Sequence, residues 1–180
     1  MEEATIALAC GTVVLAAITA WAVVDSRCAR KREKRDRTIA EIADWAVAVL
    51  ESLHEVGLPN IDSVREDDIA YAKDATMTYL GEKARQRNLA IARGAYVGKL
   101  AGRTDPDLGK AVDETLGVLR KDVDALRESM RVIDEVAVSI GAGRYTDVLG
   151  PLLAESLNRR KEIHAAADCV LSCAAEVYTS

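Results

Sequence analysis

Glu51 and His54 form a Glu-x-x-His pair, the spacing that sets a carboxylate and an imidazole on one helix face in di-iron bundles. Such centres need a second pair and further carboxylates. The other histidine, His164, follows Glu162 at the wrong spacing, so the ligand count fails and His54 reads better as a cation near a helix C-terminus. Cys169 and Cys173 stand one helical turn apart, which is half a metal site or a redox pair. Two thiolates are not four ligands, and small thiols in an Ala-rich helix ordinarily pack as core. There is no glycine-flanked Ser, no phosphate loop ending in Lys-Ser or Lys-Thr, and no local Cys-His motif. We therefore expect no catalytic residue, no bound metal and no cofactor, and read the chain as non-enzymatic. Arg159-Arg160-Lys161 is a basic patch flanked by Glu155 and Glu162. It reads as a solvated face, except that Arg160 falls on an apolar stripe and marks an interface or a buried pair.

The elements that carry these residues are helical. Pro stands only at positions 59, 106 and 151, with Gly gathered near the same places, so the punctuation predicts three breaks and four helices. Ile39, Ile42, Ala46, Val49, Leu53 and Val56 step by three and four and form a first apolar stripe, ending at Gly57-Leu58-Pro59. Ser63 with Glu66 is a capping-box pattern that opens a second helix running to about Ala101. Its stripe is Met77, Leu80, Ala84, Ile91, Gly94, Gly98 and Ala101, with Arg87 the one polar intrusion, and the two glycines predict close helix packing. Asp105 before Pro106 fits an N-cap with Pro at the first helical position, so helices two and three should form a hairpin.

The third helix is the most regular. Val112, Leu116, Leu119, Val123, Leu126, Met130, Ile133, Ala137 and Ile140 keep a heptad seam, which signals coiled-coil-like packing within the chain or with another. Leu119, Val123, Leu126, Met130 and Ile133, together with Arg160, are the candidate helix interface. A weaker fourth stripe runs Leu149, Leu153, Ser156, Arg160, Ile163, Ala167, Val170, Ala174 and Val177, and Pro151 implies a start at Gly150 or a kink just inside the helix.

The N-terminal region carries a different message. Residues 4–24 are uncharged and largely apolar, about the 20 residues needed to cross a bilayer. Arg27, Arg30, Lys31, Arg32, Lys34, Arg35 and Arg37 follow, which would place the N-terminus outside and the bulk of the chain in the cytoplasm. The acidic start and the trailing basic cluster argue against a cleaved signal peptide. Thr12, Ala16 and Ala20 recur every fourth residue and offer a face for span packing. The predicted organisation is a short outer N-terminus at 1–3, a span at 4–24, a basic juxtamembrane segment at 25–37 that contacts lipid headgroups, and a helical bundle at 38–180.

Net charge is −5, and removing residues 1–37, with seven of the 24 basic and five of the 29 acidic side chains, leaves −7. That balance excludes nucleic-acid binding by the main domain. With no Phe, two Trp and five Tyr, the core must be built from thin helix contacts. Leu58-Pro59-Asn60-Ile61 resembles a fragment of the Ile-Pro-Asn-Leu signature of the LemA family, and Ile91-Ala92-Arg93 with Tyr96 is similar to a later segment of it. The likeness stops at those residues, the pieces lie too close together, and no function is carried over from it. The expected architecture is all-α: a single N-terminal transmembrane helix continuing into an antiparallel, up-and-down, coiled-coil-like four-helix bundle. Its expected role is a membrane-anchored scaffold or adaptor that meets membrane lipid and a protein partner or a second copy of itself. The alternative is a signalling relay, or a lipid or ligand sensor, acting through the first helix.

Overall fold

The computed structural model describes the backbone of residues 2–53, 69–139 and 142–179; the side chains of 2–18, 69, 137–139, 142–146 and 153 lie outside the description. Four helices and no strand are present among the described residues: α1 (Glu2–Glu51), α2 (Ile69–Thr104), α3 (Pro106–Ser139) and α4 (Ala142–Thr179). The expected Ser63 cap and the Gly57-Pro59 break fall outside the described residues. Pro151 lies inside α4 rather than at its start.

The chain divides into two units, residues 1–38 and 39–180. In the first, the described side chains of α1 are almost all exposed, Trp21, Val23, Val24 and the seven basic residues from Arg27 to Arg37 among them. Glu33 and Arg37 pair at 3.5 Å one turn apart, and the Thr38 hydroxyl donates to the Lys34 carbonyl at 2.9 Å. Among the described residues, no helix is long and apolar enough to cross a membrane. The expected transmembrane helix, and with it the single-pass placement with the N-terminus outside, is corrected on that finding.

The second unit is a helical bundle. Its tightest seam joins α2 to α3, which the single non-helical residue Asp105 separates. The Asp105 carboxylate accepts hydrogen bonds from the N–H groups of Asp107 (2.9 Å) and Leu108 (3.0 Å), so it is the N-cap that the Asp-Pro pair announces. Glycines set the spacing along this hairpin. A Cβ on Gly109 would stand 2.7 Å from the Gly102 Cα, and one on Gly94 would stand 2.6 Å from Leu116 Cδ2 and 2.7 Å from the Trp45 ring. Close approach is what these positions require, and a methyl group there has nowhere to go.

Trp45 of α1 fills the space that Gly94 leaves. It is fully buried, and its indole N–H donates to the Ala90 carbonyl of α2 at 2.9 Å, so its polar edge is satisfied inside the core. Around it gather Ile42, Val49, Val97, Leu108, Val112, Leu119, Ile163 and Val170, drawn from all four helices. A second cluster, Ala72, Leu80, Ala84, Leu126, Ile133 and Leu149, comes from α2, α3 and α4. Leu119, Val123, Leu126 and Ile133 are thus buried within the chain itself, and Met130 packs against the second cluster.

Beside its apolar seam α3 buries a second row, Thr115, Asp122 and Ser129, spaced seven apart. Thr115 and Ser129 satisfy their hydroxyls on α3 carbonyls four residues back, at 2.8 and 2.9 Å. Thr115 also donates toward the Ala166 carbonyl of α4 at 3.2 Å. Asp122 has no such outlet, and its partners define the site.

Candidate functional site

Between the two apolar clusters lies a layer of charge, and it begins where α1 stops. Ser52 and Leu53 form the closing turn of α1, their N–H groups donating to the carbonyls of Ala48 (3.1 Å) and Leu50 (2.9 Å). The last carbonyls of a helix have no partner within it and carry its negative dipole end, so a cation belongs there. Arg87 of α2 supplies one. Its Nη1 donates to the Ser52 carbonyl at 2.7 Å and to the Ser52 hydroxyl, while its Nε donates to the Asp122 carboxylate of α3 at 3.2 Å.

The other carboxylate oxygen of Asp122 accepts from Arg159 Nε of α4 at 3.2 Å, and Arg159 Nη1 reaches Glu155 at 2.6 Å. One buried carboxylate therefore joins two guanidiniums from different helices. The Arg87 and Asp122 side chains are each 6% exposed and that of Arg159 is 13% exposed, whereas Glu155 is 66% exposed. Burial pulls the Arg87 guanidinium down from its usual range, Asp122 pushes it back up, and Arg160 adds a further downward push. The layer holds more cation than anion, with Glu155 supplying the balance from its solvent edge. Next to it, the ammonium of the buried Lys83 sits 5.6 Å from the Tyr79 ring centre, a cation–π distance.

On the outside of this layer, α4 presents an open groove of about 510 Å³ lined by Leu157, Arg160, Lys161, His164, Ala165 and Asp168. His164 and Asp168 pair at 2.8 Å one turn apart. The groove follows α4 for roughly 16 Å, three helical turns. Leu157 is 47% exposed, so the groove has an apolar wall beside its cations.

Arg159, read from sequence as solvated, is the residue that enters the ionic layer, and Arg160 is half-buried at the edge of the groove. Glu51 is exposed at the end of α1, and His54 lies outside the described residues. Among the described residues no group of three or more His, Cys, Asp or Glu side chains is placed to hold a metal ion. Arg27, Arg30, Lys31, Arg32, Lys34, Arg35 and Arg37 remain a set of exposed cations in the first unit. Of the span-packing stripe Ala20 is exposed, while the side chains of Thr12 and Ala16 lie outside the description. Asp122 was missed by the sequence reading; its signal was the seven-residue spacing of Thr115, Asp122 and Ser129, a polar row that a solvated face would not need to keep.

No protein-family model matches the chain, and neither a curated protein nor a solved structure matches it.

Proposed function

We propose that this chain is a non-enzymatic docking module, an antiparallel up-and-down helical bundle whose α4 groove receives a short acidic amphipathic helix of a partner protein. The observation that carries this reading is the groove itself: Arg160, Lys161 and His164 beside Leu157 and Ala165, on a domain that is otherwise acidic. The α3 seam, the other candidate surface, is spent on the chain's own core. Helix-in-groove recognition uses apolar anchors at three- and four-residue steps with charges at the rim, and three turns of groove suit about ten residues of ligand helix. The buried Arg87–Asp122–Arg159 layer holds α4 from beneath, so the surface is preorganised and little ordering cost falls on binding.

The test is a photo-crosslinking side chain at Ala165 in the full chain, expressed in its own cells, with R160E/K161E as the matched control. Capture of an acidic protein that is lost on charge reversal is expected. In purified form the same reversal should weaken that complex about tenfold or more, mostly through the association rate. Capture that survives charge reversal, or cross-links confined to a second copy of the chain, would overturn the proposal.

A further inference from the structure

Near its C-terminus α4 carries two thiols on one face, Cys169 exposed and Cys173 half-buried against the larger apolar cluster. The groove does not include them and the ionic layer does not touch them. Burial first, then the Cys169 thiol, then the carboxylates of Glu176 and Asp107, hold the Cys173 thiol above the ordinary thiol range.

Four chemistries are open to such a pair. A disulfide needs its Cβ atoms about 3.5–4.5 Å apart, whereas residues four apart on a regular helix hold theirs at roughly 5–6 Å, so closure would strain α4. A monovalent soft cation would leave an anionic bis-thiolate beside Glu176 and Asp107, which their charges oppose. A four-coordinate divalent ion needs ligands that the described residues do not bring there. Condensation with a trivalent arsenical opposes none of these constraints: it places an atom between the two sulfurs, spans their separation without straining the helix, and yields a neutral product.

We propose that Cys169 and Cys173 form a dithiol site for monosubstituted trivalent arsenicals and like thiophilic centres. The step balances without an oxidant or a reductant. One R–As=O and two S–H groups give R–As(S)₂ and one water: two As–S bonds form, the arsenic–oxygen bonds break, and the thiol protons leave on the departing oxygen. Occupancy would tie one turn of α4 at the edge of the core.

The probe is phenylarsine oxide added in equimolar amount to the reduced full chain in a C10A/C28A background, read by intact mass and thiol count. One phenylarsine bound and two thiols lost are expected. The adduct should resist excess monothiol and be removed by a dithiol. In that background C169A, which alters an exposed side chain and leaves the fold in place, should bind at least about a hundredfold more weakly, the loss expected when a second tethered bond is removed. C173A should match it. Equal retention by the single-thiol variants, or release of the adduct from the pair by monothiol, would overturn the assignment; so would labelling that appears only after denaturation.

Discussion

Replacing Asp122 by alanine tests the central claim about packing, because it removes the one carboxylate that Arg87 and Arg159 share while leaving both guanidiniums in place. Removing one partner of a buried pair costs about 3–5 kcal/mol, since the remaining charge stays desolvated and uncompensated. The structure puts D122A near the lower bound: Arg159 retains Glu155 at 2.6 Å and Arg87 retains the Ser52 carbonyl at 2.7 Å. A loss of about 3 kcal/mol corresponds to roughly 6–12 °C in Tm for a domain of this size. With a urea slope of about 2 kcal/mol/M it shifts the midpoint down by about 1.5 M. Far-UV circular dichroism across a urea series on the full chain reads it, with an unchanged slope as the check that only stability moved. R87M/D122L/R159M is the companion: removing every charge of the triad together should return stability to within about 1 kcal/mol of the parent or above it. A D122A variant within about 1 kcal/mol of the parent would show that Asp122 does not compensate buried cations.

Two glycine substitutions should differ in sign. G94A drives a methyl group into Leu116 and Trp45 and should destabilise by about 1 kcal/mol, overpacking outweighing the gain in helix propensity, with a shift in tryptophan fluorescence as the local readout. G81A meets nothing within 4 Å and should stabilise by about 0.5–1 kcal/mol in the same denaturation assay. D105A removes the cap of α3 and should cost about 1 kcal/mol, measurable as a lower thermal midpoint with native helicity retained below it.

Periodicity made much of the fold legible. The α3 seam, the Asp105 cap and the close approach at Gly94 were all visible because each rests on local spacing or local propensity. Arg87 was visible as an anomaly, but its meaning depended on the Ser52 carbonyl and on Asp122, neither near it in the chain. The α4 stripe shows the limit most clearly. Between Leu149 and Ile163 the three-four stepping can run through Leu153, Ser156 and Arg160 or through Leu152, Ser156 and Arg159, and both are regular. The carboxylate waiting on α3 selects Arg159 and turns Arg160 toward the groove, so the site emerged one residue away from where a single helix could place it. The N-terminal stretch was judged by its apolar run and by the charges before and after it, and among the described residues no helix is long and apolar enough to cross a membrane.

The heptad regularity of α3 creates an ambiguity that the charged layer resolves. The one-residue connection fixes α3 against α2, but sliding α4 by one repeat along α3 sets it against Leu126 or Val112 where Leu119 stood, an exchange the apolar core would tolerate at small cost. The same slide delivers Thr115 or Ser129 to the Arg159 guanidinium in place of Asp122. A hydroxyl carries no charge, so the slipped arrangement leaves a cation stranded in the interior. Asp122 thus acts as a tooth that engages at a single setting, and a helix whose apolar side could mesh at several is held at one.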